Sequence, residues 1–133
     1  MKIVYAVVFL FFLSGCIKKK QEDIVINAMV DGQWKVTNFI KGSTNITTDF
    51  ASYKFQFKTN FTVDAININN ASVEKTGSWN ADATTQTITS NFSNAANPLI
   101  FLNGTWQITN NSWTWVNATQ TLNGELLTMR LEK

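Results

Sequence analysis

From Gly32 onward the apolar residues recur at every second position in short runs. Trp34 and Val36 alternate with Lys35 and Thr37; Tyr53, Phe55 and Phe57 alternate with Lys54, Gln56 and Lys58; Phe61, Val63 and Ala65 alternate with Thr62 and Asp64. The same spacing continues through Trp79, Ile88 and Phe92, Trp106 and Ile108, Trp113 and Trp115, then Leu127, Met129 and Leu131. A period of two sends successive side chains to opposite faces of an extended chain, and these runs are rich in the aromatic and β-branched residues that suit a pleated surface. Turn-forming pairs separate them: Gly42-Ser43, Thr59-Asn60, Asn69-Asn70, Ala81-Asp82, Asn103-Gly104, Asn110-Asn111 and Asn123-Gly124. The pattern predicts strands near 33–40, 52–58, 61–68, 73–80, 85–92, 104–109, 112–118 and 125–132.

Each predicted strand has one apolar and one polar face, so one side of the sheet packs and the other meets water. Short connections favour an antiparallel meander. With no helix long enough to cover a sheet, closure into an up-and-down barrel buries the apolar face and removes the edges. A β-sandwich is the alternative. Residues 94–102 break the pattern: they hold the only proline, Pro98, and end in Leu99-Ile100-Phe101-Leu102 without alternation. This stretch is expected to lie across one mouth as a plug or lid. Before the strands, Ile24, Val25, Ala28 and Met29 share a face at helical spacing, and Gly32 is placed to stop a short helix that caps a barrel end.

The first residues have a different character. Met1-Lys2 is followed by an apolar run from Ile3 to Leu13, then Ser14-Gly15-Cys16 and three lysines at 18–20. The run is short for a bilayer span and ends in small residues, as a cleaved signal does. The stretch Leu13-Ser14-Gly15-Cys16 resembles the lipobox of bacterial lipoproteins. That resemblance implies removal of residues 1–15 and lipid attachment at Cys16. It also implies a lipidated tether with a short helical turn over 16–30 and a barrel domain over 31–133. Several acyl chains, at about 0.8 kcal/mol per buried methylene, would hold such a domain on a membrane almost permanently. Ile17 is not the acidic residue that marks inner-membrane retention, so the resemblance implies a cell-envelope location at the outer membrane, on its periplasmic or surface face.

Charge and composition exclude several function classes. From Asp31 on, Lys35, Lys41, Lys54, Lys58, Lys75, Arg130 and Lys133 balance Asp31, Asp49, Asp64, Glu74, Asp82, Glu125 and Glu132. The formal excess of +2 lies in the N-terminal region, so the domain offers no basic face for nucleic acid. Cys16 is the only cysteine, which rules out an internal disulfide. There is no histidine, hence no Ser-His pair and no imidazole base or ligand. Asp64 and Glu74 fall on polar positions of neighbouring strands, where solvated carboxylates are the rule. No calcium loop and no glycine-rich phosphate loop is present. The expectation is a protein that is not an enzyme and has neither metal nor cofactor.

Gly32-Gln33-Trp34 at the head of the first strand resembles the Gly-x-Trp signature of lipocalins. Together with Tyr53-Lys54-Phe55-Gln56-Phe57, Gly77-Ser78-Trp79, Gly104-Thr105-Trp106 and the run from Leu127 to Lys133, the pattern is similar to small bacterial lipocalin-like lipoproteins. The resemblance implies an all-β, eight-stranded up-and-down barrel with Gly32, Trp34 and Arg130 as structural residues. Lipocalins set a last-strand arginine against the signature tryptophan, which implies that Arg130 stacks on Trp34. By strand parity, however, Arg130 points away from the side shared by Leu127, Met129 and Leu131.

Two functional readings remain open. In the first, Trp34, Phe55, Phe57, Trp79, Trp106 and Trp115 line a pocket for a small hydrophobic ligand. In the second, they fill the barrel, and the protein is a structural or interaction module that meets an envelope partner, with Trp113-Thr114-Trp115-Val116 as the candidate surface. An eight-stranded barrel is just wide enough for either. An apolar cavity above roughly 300 Å³ separates the two.

Overall fold

The computed structural model describes residues 24–133. Nine antiparallel strands form one sheet curled into a half-barrel. They are β1 (Lys35–Lys41), β2 (Thr44–Asn45), β3 (Tyr53–Phe57), β4 (Thr62–Asn67), β5 (Val73–Asp82), β6 (Thr87–Asn91), β7 (Gly104–Asn111), β8 (Trp115–Leu122) and β9 (Glu125–Glu132). The sheet order is β2-β1-β9-β8-β7-β6-β5-β4-β3. From β3 to β9 this is a plain meander, and β9 returns to pair with β1. The two edges meet at one point, where Trp34 and Phe55 exchange backbone hydrogen bonds of 2.9 and 2.8 Å.

The eight predicted strands correspond to β1 and β3 to β9. The ninth, β2, is a two-residue pairing with the end of β1, too short to show a period. Two 3-10 turns complete the connections, η1 (Thr47–Phe50) and η2 (Leu99–Leu102). The seventh predicted strand, 112–118, is displaced: β8 starts at Trp115, and Ser112 to Thr114 form a turn closed by the Ser112 N–H on the Trp115 carbonyl at 2.9 Å.

The concave side carries the core. Trp34, Val36, Phe39, Phe55, Phe57, Val63, Ala65, Trp79, Ile88, Trp106, Leu127, Met129 and Leu131 are buried together. Bulges adjust which residues face it. The β1/β9 register shifts between Val36 and Asn38, so the inward set passes from Val36 to Phe39 rather than to Asn38. Phe39 then stacks on Phe50 from η1 at 4.9 Å and meets Trp106 edge-on at 5.8 Å. Gly77 permits a close backbone approach in the wall: a Cβ there would lie 2.5 Å from the Asn91 carbonyl oxygen and 2.9 Å from the Phe92 ring.

A helix over 24–30, α1, precedes the sheet. Its Met29 is buried and its Ile24 exposed. Gly32 follows with φ +84°, the left-handed value that lets the chain leave the helix and enter β1.

Candidate functional site

The concave core encloses a cavity of about 30 Å³, lined by residues that include Phe55, Phe57, Ser90, Leu102, Trp106 and Met129. That is room for a water molecule or two. Ser90 turns its hydroxyl to the Leu102 carbonyl, and the Trp106 indole N–H donates to the same oxygen at 2.9 Å. The side-chain polar groups at this wall are thus satisfied internally, and the remaining lining is hydrocarbon and aromatic.

Of the six aromatics expected to line a pocket, Phe55, Phe57 and Trp106 do line this cavity. Trp34 is fully buried beneath α1, where its indole N–H donates to the Met29 carbonyl at 2.8 Å. Trp79 packs edge-on against Phe57 at 5.2 Å and donates to the Lys58 carbonyl at 3.0 Å. Trp115 is half-buried, and the Arg130 guanidinium lies 4.6 Å from its ring centre. Trp115 pairs in register with Glu132 and Asn117 with Arg130, so the polar partners of Arg130 belong to the convex face.

The implied Arg130–Trp34 stack is therefore replaced by another arrangement. Strand parity sends Arg130 outward between the inward Met129 and Leu131, onto Trp115. The cation over Trp34 is Lys133, 5.0 Å from its ring centre and 5.4 Å from that of Trp113. Asp31 joins this cluster, with Oδ2 3.5 Å from the Lys133 ammonium and 3.3 Å from the Trp113 indole nitrogen. Sequence reasoning missed the cluster because its members are far apart in the chain: Asp31 and Trp34 precede β1, Trp113 lies in the β7–β8 turn and Lys133 follows β9. The available signal for Asp31, Trp34 and Lys133 was their position next to strands that pair, β1 and β9.

At the same end, α1 leaves two open grooves against the strands, of about 220 and 200 Å³. Both are lined by Ile24, Val25, Ile108 and Asn111. Ile88 and Val116 line both the second groove and the interior cavity, so their side chains form part of the partition between them.

The titratable groups of β3, β4 and β5 form small local sets. Asp64 accepts from Thr76 Oγ1 at 2.8 Å and pairs with Lys58 Nζ at 2.6 Å. The Lys58 contact holds its carboxyl below the usual range, against the opposing effect of burial. Glu74 is held low by Asn67 and then by Tyr53, while burial and Glu74 push the Tyr53 phenol up. Asp64 contacts Lys58 and Thr76, Glu74 contacts Asn67 and Tyr53, and neither carboxylate is paired with the other. Among the described residues, no three His, Cys, Asp or Glu side chains gather as a metal site. Cys16 lies outside the described residues.

A solved structure of a DUF4847 family protein from Bacteroides vulgatus is similar to this fold. It has a TM-score of 0.57 and 15% sequence identity, covering 81% of this chain and 96% of that one. At that identity the likeness is one of fold. No protein-family model and no curated protein sequence matches the chain.

Proposed function

We propose that this chain is a lipid-anchored cell-envelope protein whose half-barrel is a filled, lipocalin-like frame serving as a non-enzymatic interaction module. The carrying observation is the interior cavity of about 30 Å³, against roughly 300–1,000 Å³ for pockets that enclose small molecules. Phe50, Phe39 and Trp106 form one chain of stacked and edge-on contacts in that interior, and Phe55 and Phe92 form a second edge-on pair, which leaves a ligand no space without repacking. Attachment through Cys16 is supported by the Leu13-Ser14-Gly15-Cys16 stretch. The absence of histidine from the sequence supports the non-enzymatic part. An envelope protein would be met at an outer face or a mouth.

The test is to expose the acylated protein to a library of fatty acids and alcohols and record native mass spectra. This reading expects the chain without a non-covalent adduct across the library. A saturable one-to-one adduct would overturn it. Such an adduct would favour the second reading, a carrier of a small hydrophobic ligand. The observation behind that reading is the pair of grooves beside α1, divided from the interior in part by Ile88 and Val116.

A further inference from the structure

The strand registers place α1 and the β3–β4, β5–β6 and β7–β8 turns at one end of the half-barrel. Three large apolar residues stand out from this rim: Ile24 at 55% exposed, Phe61 at 44% and Trp113 at 50%. Ile24 and Trp113 line a common groove. Phe61 is held at φ +62°, a conformation rare for an aromatic residue, with its ring centre 5.8 Å from that of Trp79. The indole N–H of Trp113 is turned to Asp31, while half of the residue stays in solvent. An aromatic with a satisfied polar tip and an open apolar face favours the headgroup level of a bilayer. The acidic groups of the rim are engaged. Asp31 meets Lys133 and Trp113, and Asp82 Oδ1 accepts from the amides of Thr84 and Thr85.

We propose that this rim is a membrane-docking surface and that Ile24, Phe61 and Trp113 enter the interfacial layer of the bilayer. The proposal rests on lipid attachment at Cys16. Chain length then selects the occupant. Cys16 and Ile24 are eight positions apart in the sequence, a reach of at most about 29 Å when fully extended. The α1 end is thus the end of the sheet tied closest to the lipid, and the lysines at 18–20 lie in the same stretch, where anionic headgroups attract them. Ile68, Val73, Ile100, Leu122 and Leu126 are also exposed, but they sit at the opposite end, at the β4–β5 turn, η2 and the β8–β9 turn, so the tether and not exposure alone distinguishes the rim.

The test uses the full acylated chain in vesicles of phosphatidylethanolamine and phosphatidylglycerol. Single cysteines are introduced as Ile24→Cys, Phe61→Cys and Trp113→Cys at the rim, and as Ile100→Cys and Leu126→Cys at the far end. Each is labelled with a polarity-sensitive fluorophore, since acylation leaves Cys16 unreactive. Lipids brominated high on the acyl chain should quench the three rim labels several-fold more than the two far-end labels. Equal quenching at both ends, or none, in a chain that still floats with vesicles and carries the acyl mass would overturn the docking surface alone. A chain without acyl mass at Cys16 would overturn the anchor and the docking proposal with it. Each site is read separately after a thermal melt, so misfolding of one variant leaves the others decisive.

Discussion

The two ends of the half-barrel are closed by different means. At one end η2 is tied into the strands by hydrogen bonds. The Leu102 carbonyl accepts from Trp106 and Ser90, the Asn103 side chain exchanges bonds of 2.6 and 3.1 Å with the Phe92 backbone, and Gln120 reaches the Asn103 carbonyl at 2.9 Å. At the other end α1 rests on apolar contact, chiefly through Met29. Among the described residues it is joined to the sheet by one side-chain hydrogen bond, from Trp34 to the Met29 carbonyl. A closure built from the strands' own polar groups opens when the sheet opens. A closure held by an apolar face is free to open alone.

The sharpest way to break this contrast is to cut into each closure in turn. Trp106→Ala removes a buried indole and its bond to Leu102. It should cost about 3–5 kcal/mol, with every spectroscopic probe unfolding together in denaturant. A loss confined to η2 would contradict the tied closure. Met29→Ala empties the main apolar contact of α1 and should cost about 2–3 kcal/mol. Its signature is local: hydrogen exchange should speed up in α1 and stay near wild type in β8 and β9. Equal acceleration in both would make the two ends equivalent.

The wall between the ends supplies a control. Asp64→Asn should cost about 1–2 kcal/mol at neutral pH by loss of the charge-assisted contact with Lys58. Because the folded carboxyl is held below its unfolded value, its stabilisation is full above the unfolded value of about 4 and is lost as pH falls through the folded one. The variant's stability should therefore fall less steeply than wild type below about pH 4; parallel curves would remove Asp64 from the account. The smallest effects belong to the cations. Arg130→Lys and Lys133→Ala should each cost below about 1 kcal/mol. Double-mutant cycles should couple Arg130 to Trp115 and Lys133 to Trp34; coupling of Arg130 to Trp34 would reverse the assignment.

Much of the sheet was legible because one face is buried and the other wet, so a period of two is written into each long strand. The exceptions have physical causes. Trp113 and Trp115 look like one alternating run, yet Trp113 lies in a turn, and β8 continues through Asn117-Ala118-Thr119, where the inward residue is a small alanine with little apolar signal. β2 and η1 are too short for periodicity, although η1 delivers Phe50 to the core. The β1 bulge shifts parity within a strand, which no fixed alternation anticipates. The candidate site was less legible. Aromatic content alone does not tell a filled interior from a lined pocket, since the outcome depends on how Phe39, Phe50 and Trp106 interlock. The Lys133–Trp34 pairing required knowing where the chain passes after β9, and Arg130 obeyed its strand parity rather than the lipocalin arrangement.

The central claim is that the interior is occupied by the protein's own side chains. The most direct measurement is a native mass spectrum of the full chain extracted from the membranes in which it is made, compared with its denatured mass. The account predicts identical masses, each equal to the chain plus covalent acyl groups. A native mass larger by one small molecule, released on denaturation, would contradict it.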